Sequence, residues 1–173
     1  QLISALCLAE SEEASPREVA AVLRECIDDL RLTIDSLEST DHELLPALGN
    51  FRYRIEGRLR ALGIELEWRV NDLPALPYLS ARTLLHILRI LQEAFANVLK
   101  HAVATRIRLE TGVAPGERRV FIRVSDDGKG FAPSDVQGRG LGNMARRAAS
   151  IGGELRLSSS VEGTTVELWL PSA

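Results

Sequence analysis

The stretch Gln92-Glu93-Ala94-Phe95-Ala96-Asn97-Val98-Leu99-Lys100-His101 restricts the fold of this chain more than any other. It sets a carboxylate, a carboxamide, an ammonium and an imidazole among apolar neighbours. Each residue of a helix advances by about 100°, so positions i, i+4, i+7 and i+8 return to one side. Glu93, Asn97, Lys100 and His101 therefore share a polar edge, while Leu91, Phe95, Val98 and Leu99 supply the other faces. Burying such a helix is costly unless the polar edge meets something polar, and this points to a ligand.

The rest of the chain can house that helix. Its 173 residues suffice for one large domain, or one domain with a small appendage, and 45% are apolar. A net charge of −3 argues against a nucleic-acid surface. No apolar run reaches membrane-spanning length and no signal peptide is evident, so no membrane contact is predicted. Cys7 and Cys26 lack metal spacing and read as small core residues of a reducing compartment, which suggests the cytoplasm. The chain opens without methionine and already inside a helical pattern, as a piece of something longer would; that parent could be anchored in the inner membrane.

Leu2, Ile3, Leu6 and Ala9 follow helical spacing over residues 1–13. Ser15-Pro16-Arg17-Glu18 then carries the marks of a helix start: a capping serine, a proline in the first turn and a glutamate three residues on. Val19, Val22, Leu23, Cys26, Ile27, Leu30, Ile34 and Leu37 form an amphipathic stripe beyond it. A hairpin over residues 1–40 buries too little surface alone, so it is expected to complete a bundle with a second copy.

Residues 41–173 have another texture. A helix is predicted over 43–62, stopped at Gly63, followed by a half-buried strand through Ile64, Leu66, Trp68 and Val70. A loop runs from Asn71 to Ser80, and Ser80 caps the long helix. Strands are predicted through Ile107, Leu109 and Thr111 and through Val120, Ile122 and Val124, joined by a turn at Pro115-Gly116. A short helix near 141–151 precedes two strands, one through Leu155 and Leu157 and one through Val166, Leu168 and Leu170. The fold class is α+β: a two-layer α/β sandwich with one sheet covered by helices on one face, preceded by the hairpin.

Two further segments carry chemistry. In Val124-Ser125-Asp126-Asp127-Gly128-Lys129-Gly130-Phe131, Asp126 continues the inward parity of Val120, Ile122 and Val124. A carboxylate there can accept a hydrogen bond from a buried donor such as an exocyclic amine. Asp127 has the opposite parity and is expected to be exposed. Gly128 and Gly130 allow the backbone to approach a flat ligand closely. In Gly138-Arg139-Gly140-Leu141-Gly142-Asn143-Met144, glycines before a helix expose N–H groups at its positive end, which suits phosphate. The spacing is not a dinucleotide fingerprint, and there is no P-loop. Singly, each segment would more often be a solvated helix face, a turn or a loop.

Taken in order, E-x-x-x-N…K-H on a helix, D-x-G-x-G after a strand and G-x-G-x-G before a helix resemble the Bergerat ATP-binding fold of histidine kinases, gyrase-type topoisomerases, mismatch-repair ATPases and heat-shock chaperones. The closing Gly163-Thr164-Thr165-Val166-Glu167-Leu168-Trp169-Leu170-Pro171 resembles that family's final strand. Gln92-Glu93-Ala94…Asn97-Val98-Leu99-Lys100-His101-Ala102 and Gly140-Leu141-Gly142-Asn143-Met144 are most similar to bacterial two-component sensor histidine kinases of the nitrate-sensor subfamily. The resemblance covers residues 43–171, and less specifically the hairpin as a truncated dimerisation and histidine-phosphotransfer module.

The resemblance implies ATP and Mg2+. Asn97 would hold the magnesium that bridges the phosphates, and Glu93 would orient the metal shell or act as a base. Lys100 and His101 would neutralise phosphate, and Asp126 would read the adenine amino group beside Gly128 and Gly130. Gly138, Gly140, Leu141 and Gly142 would form the lid and phosphate hinge, and Thr164 or Thr165 would close the pocket. The implied partners are a response-regulator receiver domain and a second copy of the chain. The family's acceptor histidine lies on the first hairpin helix, yet no histidine precedes His42, so the acceptor is expected upstream and this segment is expected to bind ATP without phosphorylating itself. The alternatives are a nucleotide-gated module without kinase activity and an anti-sigma-type serine kinase. Trp169 has outward parity and no functional account from sequence.

Overall fold

The computed structural model describes residues 43–76, 78–116, 118–131 and 139–172, together with Ser15, Val19, Ala20, Leu23, Cys26, Ile27, Leu30 and Ile34. The expected helix over 1–13, most of the second hairpin helix and Gly138 lie outside the described residues. Among residues 1–40, the described positions from Val19 to Ile34 are helical, and the Val19 N–H donates to the Ser15 carbonyl at 3.1 Å. Cys26 is buried, whereas Leu23, Ile27, Leu30 and Ile34 are about half exposed.

Helix α1 (Leu44–Ala61) leads into strand β1 (Glu65–Arg69). Gly63 ends the helix as anticipated: at φ +72° it lets its own N–H reach Arg60 O (3.1 Å) and the Ile64 N–H reach Leu59 O (2.9 Å). Helix α2 (Ala81–Asn97) starts at Ser80, whose hydroxyl accepts the Thr83 N–H at 3.2 Å. A π-helical turn (Val98–Ala102) extends it. Strands β2 (Arg106–Val113) and β3 (Arg119–Asp126), helix α3 (Arg139–Ser150), and strands β4 (Glu154–Ser160) and β5 (Gly163–Pro171) complete the domain.

The sheet order is β1-β2-β3-β5-β4, so the strands are not laid down in sequence order: β5 inserts between β3 and β4. Only β1 and β2 run parallel, which forces α2 to cross a face of the sheet between them. Ile87, Leu88, Ile90, Leu91 and Phe95 of α2 are buried with Ile107, Leu109, Val120, Ile122, Val124, Leu168 and Leu170 of the strands. Each such side chain contributes about 1.5–3 kcal/mol on burial. Phe51 of α1 meets Phe95 edge to face at 5.4 Å and joins those two helices.

The opposite face of the sheet carries its own cover. Arg69, Glu110, Arg123, Glu167 and Arg156 stand in one register row across all five strands, alternating in sign. Arg123 donates through Nε to Glu167 at 2.6 Å and pairs through Nη1 with Glu110. Trp169 belongs to this layer. It lies against Phe121 at 5.3 Å, under the guanidinium groups of Arg119 and Arg156, and donates Nε1–H to Glu167 at 3.1 Å. These contacts supply the account of Trp169 that strand parity lacks.

Candidate functional site

A cleft of about 670 Å3 opens where α2 and its π turn meet the end of the sheet. Glu93, Asn97, Lys100 and His101 line it from the helix, and Val124, Asp126, Leu157, Thr164 and Val166 from the sheet. Lys129, Gly130 and Phe131 come from the loop after β3, and Gly140 and Leu141 from α3. The polar edge read from the helix and the carboxylate read from strand parity thus face one space.

The helical reading needs one correction. The α-helix ends at Asn97, and Lys100 and His101 sit on the wider π turn, exposed at the cleft. The cause is tertiary: the Lys129 N–H takes the Ala102 carbonyl at 2.9 Å, and Val103 turns the chain through φ 54°, ψ 39°. Such π insertions are frequent at functional sites. Glu93 and Asn97, on the regular part, are half-buried as the helical edge requires.

Asp126 is half-buried at the end of β3, and its Oδ1 accepts the Gly128 N–H at 2.8 Å. Burial pushes its carboxyl above the ordinary aspartate value, against the pull of the Gly128 and Thr164 N–H groups. Asp127 is exposed, as its parity indicates. Gly128 and Gly130, which follow these aspartates, also make room for protein backbone. A Cβ on Gly128 would lie 2.3 Å from Ala102 O, and one on Gly130 would lie 1.9 Å from Ser160 O. Both glycines let protein backbone approach protein backbone, and of the two only Gly130 lines the cleft.

Gly140 and Gly142 belong to the first described turn of α3 rather than to a loop before it. A Cβ on Gly140 would stand 2.2 Å from Glu93 Oε1, which makes this glycine the seat of that carboxylate. Gly142 is exposed and does not line the cleft. The two threonines separate by strand parity. Thr164 faces the cleft, with its hydroxyl 3.1 Å from Ser159 Oγ, which in turn accepts the Phe131 N–H at 2.9 Å. Thr165 faces the other side of the sheet, where it lines a cavity of about 530 Å3 with Arg106, Arg123 and Glu167. Lys129, Phe131 and Leu157 were missed by sequence reasoning. Leu157 shows the inward alternation of its strand, but nothing local marks Lys129 or Phe131.

The profile of the family described as Histidine kinase-, DNA gyrase B-, and HSP90-like ATPase matches residues 83–173. The chain belongs to this ATPase family. It is 36% identical over 160 residues to the nitrate/nitrite sensor protein NarQ of Escherichia coli K12, covering 87% of this chain and 25% of that protein. It is 33% identical over 132 residues to the signal transduction histidine-protein kinase/phosphatase UhpB of Salmonella typhimurium, covering 76% and 25% respectively. The chain spans 25–39% of the length of the relatives it matches. Among solved structures, the histidine kinase domain of the Erythrobacter litoralis EL346 blue-light activated histidine kinase shares the fold at TM-score 0.68 and 19% identity, over 84% of this chain and 72% of that one. The Acinetobacter baumannii histidine kinase AdeS shares it at TM-score 0.65 and 16% identity, over 98% and 92%. Among the described residues no helix is long and apolar enough to cross a membrane.

Proposed function

We propose that the chain is the ATP-binding catalytic core of a sensor histidine kinase, with residues 41–173 as the catalytic domain and residues 1–40 as part of a dimerisation and phosphotransfer hairpin. The observation that carries this reading is the shared cleft, into which Asp126 on one side and Asn97, Lys100 and His101 on the other all face. Asp126 accepts the adenine amino group, and Val124, Phe131, Leu141 and Leu157 offer apolar walls to the ring. Lys100 and His101, with Lys129, offset the negative charge of the phosphates.

The residues present fit magnesium. Asn97 brings a hard carboxamide oxygen to the cleft, with the Glu93 carboxylate one helical turn away and free to act as the base. Mg2+ is usually held by one or two such protein ligands together with substrate phosphates. When bound, the ion neutralises charge on the phosphoryl group in transfer. In that transfer a nitrogen of the acceptor imidazole forms a bond to the γ-phosphorus and the bond to the β-γ bridging oxygen breaks. ADP leaves, and Glu93 takes the imidazole proton. From the acceptor histidine the phosphoryl group passes on to the receiver domain of a response regulator.

Support for a homodimer comes from Leu23, Ile27, Leu30 and Ile34, which leave one helical stretch half exposed unless another helix covers it. The similarity to NarQ spans 87% of the chain and so extends into this hairpin. Calorimetric titration with ATP or ADP and magnesium tests the site first, and absence of binding overturns the reading. A longer chain that supplies the upstream helix is then expected to gain acid-labile phosphate; acid-stable phosphoserine would favour the serine-kinase alternative. A strict monomer in light scattering at high concentration would remove the dimer.

A further inference from the structure

We infer that Asp127 is a positioning residue that keeps the phosphate-facing side of the cleft in register with its adenine-facing side; this rests on the nucleotide reading above. Asp127 follows Asp126 directly, yet its carboxylate does not line the cleft. Its Oδ1 accepts the N–H of Thr105 and the N–H of Arg106, both at 2.8 Å, and its Oδ2 accepts the Thr105 hydroxyl at 2.7 Å. The Thr105 hydroxyl, with the Arg106 and Thr105 N–H groups, holds this carboxyl below its ordinary value, so the bonds are charge-assisted.

The next two residues grip the same segment. Lys129 N–H donates to Ala102 O at 2.9 Å, and Gly128 lies so close that a Cβ would be 2.3 Å from that oxygen. Residues 127–129 therefore clasp residues 102–106. Inside the clasp lies Val103, at φ 54° and ψ 39°, a conformation that strains a β-branched residue. The residue is 84% exposed, so packing against it does not account for the conformation. Strain of this kind persists only where the surroundings over-determine the backbone. The clasp supplies those surroundings, and the element that depends on it is the π turn bearing Lys100 and His101. Asp126 lies within the β3 ladder, opposite Ile107 of β2, and its neighbours Val124 and Ser125 pair with Val166 and Thr165 of β5, so the central sheet holds it in addition to the clasp.

The two sides of the cleft therefore respond differently to loss of the clasp. Calorimetric titration with ADP and with adenosine, on wild type, Asp127→Ala, Asp127→Asn and Asp127→Ala/Val103→Asn, reads that difference. Asp127→Ala is expected to lose about tenfold in ADP affinity while adenosine affinity stays within about twofold. Asp127→Asn keeps an acceptor for both N–H groups and is expected to retain most of the ADP affinity. Val103→Asn, which accommodates the left-handed backbone, is expected to recover part of the loss. Equal losses for both ligands, or unchanged ADP binding by Asp127→Ala, overturn the inference alone. A folded wild type that binds neither ligand overturns the nucleotide reading and the inference with it. Should Asp127→Ala not fold, Thr105→Val removes only the hydroxyl bond and is expected to show a smaller loss with the same selectivity; uniform binding in that variant is equally decisive against the inference.

Discussion

Burial and function pull Asp126 in opposite directions. Its raised carboxyl pKa means that ionisation at neutral pH works against folding, because the folded state holds the proton more tightly than the unfolded chain does. Asp126→Asn is therefore expected to raise Tm at pH 7 while weakening ATP binding by about tenfold or more, measured by scanning calorimetry and titration. Gly140 tests a different contact. An alanine there has to displace the Glu93 carboxylate, the far end of a side chain that can move, so the fold is expected to survive. Phosphotransfer by the longer chain is expected to fall about tenfold or more in Gly140→Ala, with nucleotide binding little changed. The inward aim of Asp126 is legible from the alternation of Val120, Ile122 and Val124, since strand parity is local. The purpose of Gly128 and Gly130 is not, because the carbonyls they make room for belong to Ala102 and Ser160, brought close only by folding.

At the scale of elements, α2 and the sheet ladder were both read from periodicity, and with different success. The 3.6-residue pattern continues unbroken through Lys100 and His101, so nothing local announces that the helix widens after Asn97. The backbone contact from Lys129 decides it. The strands alternate cleanly, but alternation carries no partner, and the insertion of β5 between β3 and β4 is invisible in it. Charge offers a partial substitute, since the row Arg69, Glu110, Arg123, Glu167, Arg156 alternates in sign in this order of strands, whereas sequential order would set Arg123 beside Arg156. Arg123 stands at its centre between two carboxylates. Arg123→Ala leaves Glu110 and Glu167 without that cation, and is expected to lower unfolding free energy by about 1–2 kcal/mol in urea titration, with the nucleotide site unaffected.

Across the whole molecule, the outer layer of ion pairs sets the response to acid. Arg156 and Arg119 hold the Glu154 carboxyl down to about 2, Arg108 and Arg69 lower Glu67, and Thr105 with backbone N–H groups lowers Asp127. A lowered carboxyl adds stability that is complete above its unfolded value and is lost as pH falls toward the folded one. For Glu154 that window runs from 4.5 down to about 2. Tm is therefore expected to fall most steeply below pH 4.5, and Glu154→Gln to make that limb shallower; an unchanged limb would show that this pair does not carry the acid response. Asp126 acts with the opposite sign and softens the decline. The sequence by itself determined the class of fold, the helical edge at Glu93 and Asn97 and the inward carboxylate at Asp126, because periods of 3.6 and 2 are properties of neighbouring residues. Only the tertiary structure decided the strand order, the π turn beneath Lys100 and His101, and the clasp from Asp127. Each of those depends on atoms distant in sequence whose approach is set by packing of the whole sheet against α2.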